Sequence, residues 1–274
     1  MTNLISKKSK SLKGEMLVPG DKSISHRALI IGSMAVGKTS INGILESEDI
    51  FSTSNALKKL GISIYKETSN KWFVDGNGIS GFKNPIESLH LGNSGTGIRL
   101  LMGAISGSNI IVTFIGDESL SKRPMLRITK PLEEMGANII KHNNGKTPIT
   151  ISGPKELVST KYISPVASAQ IKSALLLASL SANGVSEIIE PIKSRDHTEN
   201  MLSFFGASIK SSLNEKGNNI VKIKGQPYLK AQQIIVPSDP SSAAFPIVAA
   251  LIIPGSKIKI NNMMINPTRI GLIK

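Results

Sequence analysis

A repeat of about 73 residues is the feature that most restricts how this chain can fold. Four segments open on a serine, continue through small and aliphatic residues and stop at a glycine; they start at Ser23, Ser94, Ser168 and Ser241. These starts lie 71, 74 and 73 residues apart. Each pattern predicts a buried helix with a hydroxyl N-cap and a C-terminal glycine. We therefore expect the fold to consist of copies of one unit.

The same elements follow each predicted helix. A β-branched stretch predicts a strand, and a second, amphipathic helix then ends at Gly61, Gly136 or Gly206 before further strands. The unit is thus helix, strand, helix and strands. The chain holds three complete units and part of a fourth, which predicts an α/β (α+β) fold.

The segment "GSMAVGKT" fits the phosphate-binding pattern GxxxxGKS/T letter for letter. A true P-loop follows a strand and opens a helix, so that the helix N-terminus faces the phosphates. Here the predicted order is reversed, and the other copies read "GSN", "GVS" and "GSK" at Gly37, Lys38 and Thr39. We therefore predict that Gly37 ends a helix, that Lys38 is exposed, and that no nucleotide binds here.

A net charge of +14 indicates an anionic partner. Nucleic acid is disfavoured because the chain is only 4% aromatic and its lysines are scattered. The sequence has no cysteine, no run of about 18 apolar residues and no secretory leader pattern. We expect a cytoplasmic protein that binds small anionic molecules, with no membrane or nucleic-acid partner.

Basic residues accompany the predicted helix starts. Arg27, Arg99 and Lys172 lie about one turn into the first three repeated helices, and Arg123 precedes Pro124, a predicted first helical residue. Helix N-termini already favour anions, and a nearby cation strengthens that preference. If the helices pack side by side in one direction, their ends form a single anion-binding face. The alternative is that the serines only cap helices.

Five ordered motifs carry a family resemblance. "PGDKSISHRAL", "LGNSGTGIRLL", "GDESLSKRPM", "PVASAQIKSALLLA" and "RDHTENML" resemble 5-enolpyruvylshikimate-3-phosphate synthases, and "ASAQIK" and "SRDHTE" resemble the second bacterial class. The resemblance extends along essentially the whole chain. It implies βαβαββ units of the inside-out barrel type, arranged as two domains of three units each around a cleft.

The implied reaction is transfer of the carboxyvinyl group of phosphoenolpyruvate to the 5-hydroxyl of shikimate 3-phosphate, with release of phosphate and without metal or organic cofactor. Two alternatives stay open: a module that binds shikimate 3-phosphate without turnover, and a UDP-N-acetylglucosamine enolpyruvyl transferase. The latter usually has a reactive cysteine and an asparagine after its lysine, whereas this chain has no cysteine and Ser23 follows Lys22.

The resemblance also implies roles for individual residues. The catalytic residue Lys22 is expected to contact both substrates, and Gly95 and Arg123 are expected to contact phosphoenolpyruvate. Residues expected to bind shikimate 3-phosphate are Ser23, Arg27, Ser168, Ala169, Gln170 and Arg195. Gln170 is also expected to reach phosphoenolpyruvate. Ala169 stands where many relatives have serine, and since alanine has no hydroxyl, it is expected to contribute only its backbone. His26 and His197 are expected to be structural.

The resemblance divides the chain unevenly. Residues 20–235 are expected to form a complete three-unit domain, with 1–19 and 236–274 as an incomplete portion of a second. A KESDR-like stretch and the later acid and base groups are missing from the sequence. We therefore expect that this chain by itself lacks part of the active site and is inactive, and that the protein is a monomer.

Overall fold

The computed structural model describes residues 5, 8, 10–68, 70–142, 145–154 and 156–273. The helices in this part of the chain are α1 (Lys22–Met34), α2 (Glu48–Lys59), α3 (Gly95–Ile105), α4 (Glu118–Ser121), α5 (Leu126–Glu134), α6 (Ala169–Ser179), α7 (His197–Phe204) and α8 (Pro240–Ile252). The strands are β1 (Lys13–Met16), β2 (Val36–Asn42), β3 (Ser63–Thr68), β4 (Lys71–Asn77), β5 (Leu89–His90), β6 (Ile111–Ile115), β7 (Asn138–His142), β8 (Lys146–Ser152), β9 (Lys161–Ile163), β10 (Val185–Glu190), β11 (Ile209–Leu213), β12 (Asn219–Lys224), β13 (Gln233–Ile235) and β14 (Lys257–Ile260).

Three four-stranded sheets share one topology. Their strand orders are β13-β2-β4-β3, β5-β6-β8-β7 and β9-β10-β12-β11. In each sheet the first pair is parallel and the other two pairs are antiparallel. The second and third sheets are βαβαββ units in chain order. The first sheet takes its initial strand, β13, from the segment that follows the third unit.

The helices α1, α3 and α6, termed the central helices below, form much of the hydrophobic core. Most of their residues are buried, including small ones. Contacts between α3 and α6 pair Thr96 with Gln170 and bring Gly103 against Ala174, so residue numbers rise together and the two helices are parallel. A Cβ on Gly103 would lie 2.1 Å from the backbone oxygen of Ala174, so only glycine permits this approach.

The predicted N-caps are confirmed at two of four helices. Ser94 and Ser168 accept hydrogen bonds from the backbone N–H groups of Gly97 and Ile171. The first and fourth helices instead begin before the predicted serines, with Asp21 and Asp239 as caps. The prediction was wrong there because an aspartate is as good an N-cap as serine and comes earlier in the chain.

The segment that matches the P-loop pattern covers the end of α1 and the start of β2. The preceding helix ends at Met34, and Gly37 lies within β2 at φ +101°, opposite Gly76. The prediction that Gly37 ends the helix was therefore wrong. Gly37 adopts its positive φ within β2. Lys38 is exposed, as expected, and lies over the ring of Tyr65 at 5.5 Å. A helix before and a strand after these glycines is the reverse of a phosphate-binding loop.

The fourth repeated segment differs from the first three. Strands β1 and β14 pair in parallel beside α8. This helix was expected to be buried, but in the described structure only Pro240 and Ala243 are buried in it, whereas Phe245 and Leu251 are exposed. The central helices are buried because they pack against one another. The repeat would place its second helix of the fourth unit in the segment "NPTRIGLIK", but the described residues of this segment form turns and no helix.

No helix within the described ranges combines the length and the apolar character that crossing a bilayer requires.

Candidate functional site

The N-terminal ends of the central helices meet on one side of the molecule. The hydrogen bonds that join them are His26 Nε2 to Ser94 Oγ (3.4 Å), Arg27 Nη2 to Ser173 Oγ (2.8 Å) and Gln170 Nε2 to Thr96 Oγ1 (3.1 Å). Every partner lies at the cap or in the first two turns of its helix. The expectation that these ends face the same way is confirmed. Unpaired N–H groups and aligned dipoles make such a face attractive to anions.

Arg27 is the most enclosed cation of this face. Its Nε donates to Thr198 Oγ1 at 2.7 Å, its Nη1 to the Ser23 backbone oxygen at 2.9 Å, and its Nη2 to Ser173. Burial, with a smaller contribution from the nearby Arg195, lowers the pKa of Arg27 to about 10. The guanidinium therefore stays charged at neutral pH and is held rigidly by α1, α6 and α7.

Ser23 and Arg195 come together as the resemblance implied. Nη1 of Arg195 donates to Ser23 Oγ at 3.1 Å across 172 residues of sequence. Burial lowers the pKa of Arg195, and the neighbouring Arg269 acts in the same direction. The two arginines Arg27 and Arg195 thus form one basic cluster around the start of α1.

Lys22 lies at the same helix start but is not free. Its Nζ forms an ion pair of 2.9 Å with Asp49, and its side chain is about half exposed. Sequence reasoning missed Asp49, although an acidic residue in the first turn of an amphipathic helix gave a weak signal. A ligand that uses Lys22 has to share it with this carboxylate or separate the pair.

Gly95 and Arg123 meet at the start of α3. A Cβ on Gly95 would lie 2.8 Å from Nη1 of Arg123 and 2.9 Å from Nη1 of Arg99. Nη2 of Arg123 donates to Asn93 Oδ1 and, at 3.3 Å, to Ser119 Oγ. The glycine therefore leaves room for two guanidinium groups.

The predicted role of Pro124 as a first helical residue was wrong. Helix α5 begins at Leu126, and the short helix α4, capped by Asp117, precedes Arg123. The side chain of Arg123 consequently reaches the entrance of α3 rather than that of α5.

Gln170 links two further arginines. Its Oε1 accepts from Nη1 of Arg99 at 3.0 Å and from Nη2 of Arg127 at 3.3 Å. Burial, with smaller contributions from Arg127 and Arg123, lowers the pKa of Arg99 to about 10. These arginines form a second basic cluster, at the starts of α3 and α6. Sequence reasoning missed Arg127, which follows the predicted start of α5 without a distinguishing motif.

Ser168 and Ala169 open α6 beside this second cluster. Ser168 is half-buried and caps the helix, so its hydroxyl is already engaged by the Ile171 N–H at 3.4 Å. Ala169 is buried and offers only its backbone. The helix start is therefore present as predicted, with backbone groups as its main donors.

Lys172 does not belong to this face, which corrects the sequence interpretation. Its Nζ is buried between Glu190 at 2.8 Å and Glu199 at 2.7 Å. The position one turn into a repeated helix thus holds a free cation in α1 and α3 but a paired cation in α6.

Both motif histidines are enclosed. Thr53 Oγ1 donates to the Asp49 backbone oxygen, so it accepts from Nδ1 of His26 at 2.9 Å, which leaves Nε2 to accept from Ser94. Burial lowers the pKa of His26 to about 3 and that of His197 to about 4. Neutral, enclosed rings fit the structural roles expected of them.

The balance of charge favours an anionic ligand. Across the described ranges, five arginines of this face make no ion pair with a carboxylate: Arg27, Arg99, Arg123, Arg127 and Arg195. Arg27 and Arg99 are buried, which makes their uncompensated charge costly. A multiply charged anion would offset that cost.

Comparisons with known proteins identify the family of this chain. The family EPSP synthase (3-phosphoshikimate 1-carboxyvinyltransferase) matches residues 6–274. A 3-phosphoshikimate 1-carboxyvinyltransferase of Rhodopseudomonas palustris is 51% identical over 98% of this chain and 61% of its own length, and one of Parvibaculum lavamentivorans is 48% identical over 99% and 60%. The chain thus spans about three-fifths of the length of these curated relatives.

A solved structure of EPSP synthase from Acinetobacter baumannii has a TM-score of 0.90 and 43% identity, with 97% of this chain and 59% of that chain covered. This similarity supports the inside-out barrel fold. The matches favour this family over the UDP-N-acetylglucosamine enolpyruvyl transferases that the sequence left open. The chain belongs to the EPSP synthase family.

Proposed function

We propose that this chain supplies much of the substrate site of a 3-phosphoshikimate 1-carboxyvinyltransferase. The reaction moves the carboxyvinyl group of phosphoenolpyruvate to the 5-hydroxyl of shikimate 3-phosphate and releases phosphate. The observation that carries the proposal is the meeting of three helix N-termini with five arginines that have no carboxylate partner in the described structure. Two anionic substrates would match two basic clusters.

The first cluster is proposed to hold shikimate 3-phosphate. Ser23, Arg27 and Arg195 surround the start of α1, and the family resemblance assigns all three to this substrate. Ser168 and the backbone of Ala169 would extend the same site along the start of α6. Arg27 would act mainly as a fixed charge, because three of its five N–H groups are already engaged.

The second cluster is proposed to hold phosphoenolpyruvate. Gly95 gives a ligand access to the α3 backbone beside Arg123, and Gln170 holds Arg99 and Arg127 in the same cluster. Lys22, beside Asp49, would contact both substrates. Fixed cations around the reacting carbon would stabilise negative charge that develops on the departing phosphate oxygen. No metal or organic cofactor enters this scheme.

We also propose that residues 20–235 act as one domain. This span contains the three four-stranded sheets, including β13, which returns to complete the first. Residues 1–19 and 236–274, with the β1–β14 pair, would belong to a second portion. A monomer in the cytoplasm remains our expectation for the protein.

Phosphate release tests the proposed activity. The product of the whole reading frame is supplied with both substrates, and release that requires both is expected. The variant Arg123→Ala should lose most of this activity. Lys122→Ala removes the same charge one residue away, where Lys122 pairs with the exposed Glu118, and should leave activity unchanged. No release by the unmodified protein would contradict the proposal.

Calorimetry on the 274-residue chain separates an enzyme from a binding module. Binding of shikimate 3-phosphate without phosphate release supports a module, and binding with release supports a competent enzyme. Affinity for DNA that falls steeply with salt and ignores shikimate 3-phosphate would instead indicate a nucleic-acid binder.

A further inference from the structure

Lys172, Glu190 and Glu199 form a buried cluster of charges next to the first basic cluster, since Ser173, the neighbour of Lys172, contacts Arg27. Nζ of Lys172, on α6, is 2.8 Å from Glu190 Oε2 and 2.7 Å from Glu199 Oε1. Glu190 ends β10 and Glu199 lies in α7. All three side chains are almost completely buried. The cluster therefore joins the three elements that surround the segment 191–196.

Ser194 connects this cluster to the site. Its backbone N–H donates to Glu190 Oε2 at 3.4 Å, and its hydroxyl donates to Glu190 Oε1. Its backbone oxygen accepts from Nζ of Lys172 at 3.4 Å. The cluster thus holds Ser194 at three separate atoms, and the next residue is Arg195, which donates to Ser23 Oγ.

The contacts of Ser194 with Glu190 and Lys172 matter for the position of the segment because few other contacts hold its first residues. Pro191, Ile192 and Lys193 are exposed, so packing of their side chains does little to fix the segment. Asn219 donates to Glu190 Oε2 at 3.2 Å and helps to hold that carboxylate in place. Glu190 is therefore fixed from β12 as well as from α6, whereas Ser194 depends on Glu190 and Lys172.

Stability alone does not account for three buried charges. Removing charged groups from water is costly, and apolar side chains of similar volume are often as stable. Burial raises the pKa of Glu199, which reflects this cost. A network of buried ion pairs is rigid, and it holds the neighbouring groups in one orientation.

We propose that Lys172 and Glu190, braced by Glu199, form a positioning network that fixes Arg195 at the substrate site through Ser194. The inference rests on the proposed function, because it gives Arg195 a ligand to bind. Lys172, Glu190 and Ser194 are positioning residues that contact no substrate themselves.

Hydrogen exchange tests the positioning without any ligand. Ser194→Ala removes one contact to Glu190 with little change in volume, and it should speed amide exchange in segment 191–196 about tenfold while other peptides keep their rates. Ser179→Ala is the matched control, since Ser179 bonds to Leu175 at the far end of α6. Ser194→Thr retains the hydroxyl and should restore slow exchange. Unchanged exchange in Ser194→Ala would overturn the inference.

A double-mutant cycle tests whether the network acts through Arg195. Calorimetry with shikimate 3-phosphate should show about tenfold weaker binding for Ser194→Ala. The variant Ser194→Thr should bind with the affinity of the unmodified protein. In an Arg195→Ala background the same substitution should cost less than about twofold. A full tenfold loss in that background would overturn the inference, because Ser194 would then act independently.

Failure of the two ideas can be told apart. If the product of the whole reading frame neither binds shikimate 3-phosphate nor releases phosphate from the two substrates, the proposed function fails, while the exchange rates of segment 191–196 still decide the positioning role. Glu190→Gln gives a second check, since it keeps the shape of the side chain but weakens the contacts of residue 190 with Lys172 and Ser194. It should speed exchange in the same segment, and unchanged rates would count against the network.

Discussion

Nη1 of Arg99 donates to Oε1 of Gln170 at 3.0 Å, which joins two residues that lie 71 positions apart in the chain, near the starts of α3 and α6. Arg127 donates to the same oxygen at 3.3 Å, and the amide nitrogen of Gln170 donates to Thr96. One neutral side chain thus holds two guanidinium groups together without cancelling their charge. This arrangement preserves a positive site where a carboxylate would neutralise it.

Gln170→Glu should therefore weaken anion binding while keeping the geometry. A carboxylate would pair with Arg99 and Arg127 and offset one positive charge, so we expect about tenfold weaker binding of phosphoenolpyruvate by calorimetry. Gln226→Glu introduces the same charge at an exposed position and serves as the control. Equal affinity in the two variants would contradict this role of Gln170.

Gly95→Ala should reduce phosphoenolpyruvate affinity with little effect on stability. The added Cβ would stand 2.8 Å from Nη1 of Arg123 and 2.9 Å from Nη1 of Arg99, and these flexible side-chain ends can move away. We expect binding to weaken about tenfold and the unfolding free energy to change by less than about 1 kcal/mol. Gly271→Ala, where a Cβ meets open space, should change neither quantity. A large loss of stability would refute the local explanation.

Gly103→Ala should destabilise the core. Its Cβ would lie 2.1 Å from the backbone oxygen of Ala174, so α3 and α6 would have to separate. We expect a loss of about 2–3 kcal/mol in urea unfolding, more than the gain in helix propensity of about 1 kcal/mol. Gly32→Ala is the matched control in α1, because its nearest contact would be 3.4 Å from Thr39. Similar losses in both variants would show that helix contact is not the cause.

Stability should fall in mildly acid solution because of His26 and His197. Burial lowers their pKa to about 3 and about 4, so below about pH 6.5 the unfolded chain takes up protons that the folded chain refuses. Each histidine lowers the unfolding free energy by up to about 1.4 kcal/mol per pH unit until its folded pKa is reached. Burial raises the pKa of Asp21 and Glu199, so these two carboxyls take up protons more readily in the folded chain. As the pH falls, they therefore raise the unfolding free energy, opposite to the effect of the histidines.

His26→Asn isolates one of these contributions. Urea unfolding at pH 7, 6 and 5 should show a slope shallower than that of the unmodified chain by about one proton. Measurement at pH 8, where imidazole is neutral in both states, reports the packing lost with the ring. The same slope in both proteins would show that His26 is not the buried neutral group described here.

Spacing and residue type predicted much of this fold. The separations of 71, 74 and 73 residues predicted the repeat, and small and aliphatic stretches predicted the central helices. The exposed face of α8 was not predicted, because its composition is that of a buried helix. Composition records what a segment can bury, but contacts with other elements decide what it does bury.

The amino-acid sequence by itself determined the repeating unit, the helix starts at Ser94 and Ser168, and the placement of a cation about one turn into each of the first three repeated helices. Tertiary structure alone decided which of those cations have a carboxylate partner in the described structure. Arg27 and Arg99 meet hydroxyl, amide and backbone oxygen partners and keep an uncompensated charge, whereas Lys172 meets Glu190 and Glu199 from β10 and α7. Local spacing fixes where a side chain leaves its helix, but the charge it encounters comes from segments distant in sequence.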